Sequence, residues 1–158
     1  MSSAELQERI TRLEDIEAIK QLKARYCEIC DHEGYDADAM ASLFTEDGRW
    51  DGEGVGKAEG REAIRELFAG FPKGIAGAQH IVANPLIDVD GDRARGVWYL
   101  IAGVSDGTKS EWGTGRYHEE YVKQNGEWKF RRVRVKSTAA SDAPSTLQRA
   151  RHVTEEGR

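Results

Sequence analysis

Apolar residues recur at spacings of three and four along the first thirty positions of the chain. The series predicts an amphipathic helix and consists of Leu6, Ile10, Leu13, Ile16, Ile19, Leu22, Tyr26 and Ile29. Consecutive spacings of three between Ile10 and Leu22 rotate the apolar stripe around the helix axis. We therefore expect residues before about Asp15 to pack against a different part of the molecule from residues after it. We therefore predict an N-terminal arm followed by the first helix of the domain, with Asp15 as a candidate start because acidic residues favour the positive end of a helix.

Two shorter helices and a strand are predicted next, at residues 36–44 and 60–70 for the helices and 49–51 for the strand. The segment 45–48 between them has the composition of a turn. From residue 80 onward the pattern is typical of strands. Turns at residues 90–92, 106–107 and 125–126, each with a glycine, delimit four of them near 80–89, 93–104, 111–124 and 127–138.

This order of elements predicts a single α+β domain. The chain has 158 residues, the size of one ordinary domain. Three helices followed by an antiparallel meander are expected to form a curved sheet that wraps around the helices and encloses a pocket. We assign residues 1–138 to this domain, including its helical arm, and residues 139–158, rich in Ser, Ala and charge, to a C-terminal tail.

Composition narrows the possible partners. With 23 Lys and Arg against 28 Asp and Glu, the net charge of -5 argues against nucleic acid. No apolar run approaches the roughly 20 residues that span a bilayer, so no membrane partner is expected. The N-terminus lacks a basic patch followed by an apolar core, which favours a cytoplasmic location.

Cys27 and Cys30 have no second pair of cysteines downstream, so no metal site is predicted. No nucleotide site is predicted, because the glycines of residues 52–56 lack the Gly-Lys-Ser/Thr ending of a phosphate loop.

Three residues stand out as candidate catalytic groups. Tyr26 and Asp31 lie at the end of the first long helix, and His80 opens the first meander strand. Imidazole titrates near neutrality and a carboxylate can fix its tautomer, so the three together could move a proton on a carbon acid. Other roles are open: Tyr26 as a core residue, Asp31 as a solvated residue of a helix-ending turn, and His80 as a histidine bonded to backbone.

Six segments of the chain carry a resemblance to a known family. They are 15–26 (DIEAIKQLKARY), 43–47 (LFTED), 60–64 (GREAI), 80–85 (HIVANP), 115–121 (GRYHEEY) and 125–130 (NGEWKF). In order and spacing they resemble the SnoaL-like branch of the NTF2-like superfamily over about residues 10–135. That resemblance implies a cone-shaped α+β barrel and a homodimer or homotrimer packed through the sheet face. The fold hosts lyases, isomerases, cyclases and binding proteins, so the reaction does not follow from the fold.

Within that superfamily, Tyr26, Asp31 and His80 most resemble the cofactor-independent dehydratases, such as scytalone dehydratase and bile-acid 7α-dehydratase. The resemblance implies that His80 is the base, Asp31 its orienting partner and Tyr26 a hydrogen-bond donor to the substrate. The chain also departs from the bile-acid enzyme, with Ala102 where that enzyme has an aspartate and Ser137 near its late arginine. A bile acid is therefore not the expected substrate.

Several further residues are candidate substrate contacts. Large side chains that could wall an apolar pocket are Trp50, Trp98, Trp112 and Tyr117; at least half of them are expected to pack in the core instead. Strand alternation places Arg132 and Arg134 on one face with Trp128 and Phe130, so either could replace the missing arginine; alternatively they form a solvated basic edge. The expected function is a dehydratase-like lyase acting on a small hydrophobic substrate, with an isomerase or cyclase and a non-catalytic binding domain as alternatives.

Overall fold

The computed structural model describes residues 1–143, with side chains to residue 138. Three α-helices and six strands follow in the order α1 (Ser3–Asp31), α2 (Ala37–Ser42), β1 (Phe44–Gly52), β2 (Gly56–Glu59), α3 (Arg61–Gly70), β3 (Gly77–Asp90), β4 (Arg93–Ser105), β5 (Ser110–Gln124) and β6 (Glu127–Ala143). The α+β class is confirmed, as are the three helices and the four meander strands. No helix among the described residues is long and apolar enough to cross a membrane.

Helix α1 is continuous, so the predicted second start at Asp15 is wrong. Ser2 caps the N-terminus of α1. Its hydroxyl accepts a hydrogen bond from the Glu5 backbone N–H, and the Glu5 carboxylate accepts one from the Ser2 backbone N–H. Asp15 is instead the first buried residue of the helix, and its Oδ1 accepts from Trp128 Nε1 at 2.9 Å and lies 2.6 Å from Lys123 Nζ. The arm that precedes it is exposed, so the predicted change of packing does occur there.

The six strands form one curved, unclosed sheet in the order β2-β1-β6-β5-β4-β3. All neighbours are antiparallel except β1 and β6, which run parallel. Three details differ from the prediction. Residues 45–48 lie within β1 rather than in a turn, and β2 was not foreseen. Strand β6 also continues to Ala143, past the predicted boundary at 138, and the remainder of the predicted tail lies outside the described residues.

The core lies between the concave face of this sheet and the three helices. Its largest fully buried apolar side chains are Tyr26, Tyr121, Phe44, Phe68, Phe130, Ile19, Ile29, Met40, Ile64 and Val133. Helix α3 contributes Ile64 and Phe68, which are one turn apart and so point the same way. Edge-on aromatic contacts join helix to sheet, for example Tyr26 to Phe130 with ring centroids 5.7 Å apart. The helices thus fill one part of the concave face and leave the rest open.

A bulge in β6 determines which of its side chains reach this concave face. Phe130 and Arg132 pair with consecutive residues of β5, so Arg131 between them has no partner of its own. One extra residue inverts the alternation of faces. Phe130 and, beyond the bulge, Val133 are both fully buried, whereas Arg132 turns toward the convex face.

Candidate active site

A cavity of about 330 Å³ opens between α1, α3 and the concave face of the sheet. Its lining is mainly apolar and includes residues from both helices and from five strands, β1 and β3 to β6. The members that bear on chemistry or shape are Tyr26, Cys30, Tyr35, Trp50, Phe68, His80, Leu100, Ala102, Trp112, Tyr117, Val135 and Ser137. A small apolar cavity with a few polar groups is the usual form of a ligand site.

His80 and Asp31 form a close pair at the edge of this cavity. The His80 Nδ1 lies 2.6 Å from Asp31 Oδ1, and Asp31 Oδ2 accepts the His80 backbone N–H at 2.8 Å. Their side chains are only 11% and 9% exposed, respectively. An ionised carboxylate only accepts hydrogen bonds, so the pairing favours the proton on Nδ1 of a neutral imidazole. In that tautomer Nε2, the other ring nitrogen, carries no proton and can accept one.

The end of α1 puts Asp31 in reach of β3. The helix terminates at Asp31, and the chain reverses through Gly34 and Tyr35, both with φ of 61°. The Tyr35 backbone N–H donates to the Ile29 carbonyl at 3.0 Å, which closes the turn. Asp31 therefore faces β3 and contacts the cavity only through His80, whereas Tyr26, more than a turn earlier, lines the cavity itself. Tyr26 and His80 thus line the same cavity, whereas Asp31 joins them only through its contact with His80.

The Tyr26 hydroxyl accepts one hydrogen bond and keeps its own proton for donation. Trp50 Nε1 donates to the Tyr26 hydroxyl at 2.9 Å, and indole N–H is only ever a donor. Tyr117 packs edge-on against Tyr26 with ring centroids 6.0 Å apart, so two phenols share this end of the cavity. Burial raises the pKa of both the Tyr26 and Tyr117 phenols well above their ordinary value. Both hydroxyls consequently keep their protons at neutral pH.

Three of the four predicted aromatic walls line the cavity: Trp50, Trp112 and Tyr117. The fourth, Trp98, does not. It is buried in the core, where its Nε1 donates to the Tyr121 hydroxyl at 3.1 Å. Tyr121 can approach β4 this closely because the neighbouring residue is Gly96, where a Cβ would lie 2.7 Å from the Tyr121 hydroxyl oxygen.

Arg132 and Arg134 do not enter the cavity, and the bulge at Arg131 is the reason. Both line a groove on the convex face of the sheet, and Arg134 also lies 3.7 Å from an Asp51 carboxylate oxygen. The lining of the cavity includes Ala102 and Ser137 at the two positions where the bile-acid enzyme is expected to carry charge. Neither arginine replaces the missing one.

A second buried pair, Lys23 with Glu119, escaped the sequence analysis. Lys23 Nζ lies 2.6 Å from Glu119 Oε1, and both side chains have no exposed surface. The ammonium also lies 3.1 Å from the centroid of the Tyr117 ring and 4.5 Å from that of Tyr26. Glu119 accepts a further hydrogen bond from the Tyr121 hydroxyl. The Lys23 ammonium thus packs against the rings of both phenols, although neither Lys23 nor Glu119 lines the cavity.

The two cysteines have different surroundings. Cys30 lines the cavity, while Cys27 packs behind it. Burial raises the pKa of the Cys27 thiol to about 11 and that of Cys30 well above its ordinary value, so both remain thiols at neutral pH. Among the described residues, no three His, Cys, Asp or Glu side chains are grouped as a metal site requires.

Comparison with known proteins identifies the family. The sequence model of the SnoaL-like domain matches residues 11–134, most of the chain. The protein belongs to the SnoaL-like family. A search of curated protein sequences finds no match.

Solved structures share the fold of this SnoaL-like domain. A scytalone dehydratase-like protein from Novosphingobium aromaticivorans DSM 12444 is 25% identical, with a TM-score of 0.78 over 85% of this chain and 91% of that one. An NTF2-like protein with a cystatin-like fold from Novosphingobium aromaticivorans is 25% identical, with a TM-score of 0.74 over 94% and 96%. At 21% identity, a type 2 hexachlorocyclohexane dehydrochlorinase matches with a TM-score of 0.78 over 87% and 94%, a likeness of fold alone.

Proposed function

We propose that this SnoaL-like protein is a cofactor-independent lyase that removes a carbon-bound proton from a small hydrophobic, ring-bearing substrate and expels water or another leaving group. The observation that carries the proposal is the contact of 2.6 Å between His80 Nδ1 and Asp31 Oδ1 at the edge of an apolar cavity. The likeness to a scytalone dehydratase-like protein points to the same class of reaction.

His80 is the base in this proposal. Its Nε2 takes a proton from the carbon next to a carbonyl or aryl group, and the electron pair of that C–H bond becomes the new carbon–carbon double bond. The bond from the adjacent carbon to the leaving oxygen breaks, and the departing oxygen takes the abstracted proton back from the His80 imidazolium to leave as water, which restores the neutral base. Asp31 stabilises the imidazolium that forms and keeps the ring in the tautomer that the first step needs.

Tyr26 is the proposed donor to oxygen. Because Trp50 occupies an acceptor site on its hydroxyl, the Tyr26 proton is directed elsewhere, either to Tyr117 or to a ligand in the cavity. A carbonyl oxygen gains negative charge as the carbon loses its proton, and a neutral phenol in an apolar cavity stabilises such charge. The raised pKa of Tyr26 keeps this donor protonated while His80 acts as a base.

The test is a screen of β-hydroxy ketones that carry one or two rings, with His80→Ala compared against His118→Ala. His118 is a matched control because it is an exposed histidine on the convex side of β5. We expect His80→Ala to reduce turnover by about a thousandfold and His118→Ala to leave it unchanged. Product mass identifies the reaction: loss of 18 mass units indicates a dehydratase. An unchanged mass would indicate an isomerase or cyclase, and a folded His80→Ala variant with full turnover would overturn the proposed mechanism.

A further inference from the structure

Within the described residues, only negative charge lines the cavity. Glu53 and Glu111 are the two carboxylates of the lining, and no Lys or Arg side chain among the described residues belongs to it. The rest of the lining is apolar or carries phenol, hydroxyl, thiol and imidazole groups. A ligand in the cavity therefore meets acidic or neutral groups in this part of the chain and no lysine or arginine.

The two carboxylates reach the cavity from different sides. Glu53 lies in the turn between β1 and β2, and its backbone N–H donates to the Val135 carbonyl on β6 at 3.1 Å. Glu111 lies near the start of β5, opposite Val104 on β4. Val104 and Val135 both line the cavity, so each glutamate stands beside an apolar part of its wall. Because both glutamates are exposed, they lie at the mouth of the cavity and not in its interior.

No described cation neutralises either glutamate. Across residues 1–138, neither Glu53 nor Glu111 makes a salt bridge or a side-chain hydrogen bond. Lys57, the nearest lysine to Glu53 in the sequence, lies 3.6 Å from Asp51 instead. Lys109, two residues before Glu111, is exposed and does not belong to the lining. A cleft lined by charges of one sign attracts ions of the opposite sign and repels ions of its own.

The cations of the sheet are concentrated on its opposite face. Those that line the groove on the convex side are Arg95, Arg132, Arg134 and Lys136. On the helix side of the sheet, Lys23 is sealed against Glu119 and does not line the cavity. The described part of the chain thus separates its charges, with basic groups outside the sheet and acidic groups at the mouth of the cavity.

An anionic group inside this cavity would lose water without gaining a counter-ion from the described residues. Burial of an unpaired carboxylate or phosphate in apolar surroundings costs far more than burial of a carbonyl or hydroxyl that finds a hydrogen bond. Neutral hydroxyls such as those of Tyr26 and Ser137 can bond to a carbonyl oxygen, but they do not supply the missing positive charge. Selection by an unfavourable contact with the wrong ligand is an ordinary source of specificity.

We infer that Glu53 and Glu111 determine the charge class of the substrate. The cavity takes uncharged ring-bearing molecules, accepts an ammonium group at its mouth, and excludes carboxylates and phosphates. This inference rests on the proposed function, because it takes this cavity as the substrate site. It adds that free acids and molecules joined to a phosphorylated carrier are not substrates.

The first experiment measures binding to the full chain without turnover. Its probe is prodan, an uncharged naphthyl ketone whose emission shifts in apolar surroundings. Acetylnaphthalene, naphthylmethylamine and naphthoate, which are neutral, cationic and anionic at neutral pH, then compete with it. We expect the ketone and the amine to displace prodan at similar concentrations and naphthoate to require about a hundredfold more.

The cavity-filling variant Ala102→Phe shows where the probe binds, since Ala102 belongs to the lining. We expect this variant to lose prodan binding and to keep its circular dichroism spectrum. Naphthoate that competes as well as the ketone overturns the inference. Prodan that fails to bind the wild-type protein, or that binds Ala102→Phe equally well, also overturns it.

The second experiment assigns the selection to the two glutamates. Glu53→Gln combined with Glu111→Gln should narrow the preference for ketone over naphthoate by about three- to tenfold. Glu59→Gln combined with Glu120→Gln is the matched control. It removes the same charge from exposed positions on β2 and on the convex side of β5, outside the cavity. An unchanged preference in the first pair, or an equal change in the control, rejects the role of Glu53 and Glu111.

The charge selection and the lyase mechanism fail separately. Tight binding of naphthoate together with dehydration that depends on His80 overturns the charge selection alone. Exclusion of naphthoate together with full turnover in His80→Ala supports the charge selection and overturns the mechanism alone.

Discussion

Among the polar contacts between α1 and the sheet, two share the same short distance but differ in their surroundings. His80 with Asp31 and Lys23 with Glu119 have the same closest contact of 2.6 Å. The first pair retains some exposure and one partner lines the cavity, while the second is sealed from solvent. A proton can reach and leave only the first. The two pairs cannot be distinguished by contact distance, and access to the cavity is what makes His80 with Asp31 the proposed catalytic pair.

The sealed pair should dominate stability. Lys23→Met leaves the Glu119 carboxylate buried without its cation, and breaking a buried pair in this way costs roughly 3–5 kcal/mol of unfolding free energy. The measurement is urea unfolding followed by circular dichroism. Lys20→Met is the matched control on the same helix, because Lys20 is exposed and lies 3.6 Å from Glu17, where such pairs contribute about 1 kcal/mol or less.

A double variant sharpens this result. Lys23→Met combined with Glu119→Gln removes both charges and keeps an acceptor for the Tyr121 hydroxyl, so most of the lost stability should return. If the double variant is as unstable as Lys23→Met alone, the cost arises from lost packing of the lysine stem and not from an uncompensated charge.

The sequence contained part of the evidence for this sealed pair. Lys23 stands four residues after Ile19 and three before Tyr26, which is the spacing of the buried stripe. Glu119 alternates with Tyr117 and Tyr121 on one face of β5. Either residue alone is more simply interpreted as a solvated charge, because Lys and Glu are almost never fully buried unless paired. Only the fold shows that the two meet.

The bulge in β6 marks another limit of sequence analysis. Helix periodicity and the glycine-containing turns were enough to predict three helices and four long strands. The direction of Arg132 and Arg134 depends on one unpaired residue, and β-bulges leave no reliable pattern in a single sequence.

Asp31 and His80 are 49 positions apart, so the prediction that they meet rested on family resemblance and not on spacing. Aromatic residue type suggested four wall residues, but it could not show that Trp98 packs in the core while Trp50, Trp112 and Tyr117 line the cavity.

The open pair should dominate catalysis. Asp31→Asn keeps the size of the side chain but presents an amide, which alters the tautomer of His80 and no longer stabilises its charged form. We expect kcat/KM on the substrate found in the screen to fall about a hundredfold, a loss of about 2.7 kcal/mol in transition-state stabilisation. Asp38→Asn serves as the control, since Asp38 pairs with Arg65 on the surface. Unchanged activity in Asp31→Asn would remove the orienting role from the proposal.

The smallest expected effect comes from the Cys27 thiol, which packs behind the cavity, and appears only at high pH. Burial raises the pKa of Cys27 from 9.0 to about 11 in the folded protein. The unfolded chain therefore loses this proton first, so the stability present at pH 8 is lost as the pH rises from about 9 to about 11. We expect the thermal midpoint to drop by a few degrees across this range and Cys27→Ala to flatten the decline. Thiolate absorbance near 240 nm reports the ionisation directly. Parallel pH profiles for the two proteins would assign the decline to Cys30 and the buried tyrosines, whose pKa values burial raises in the same direction.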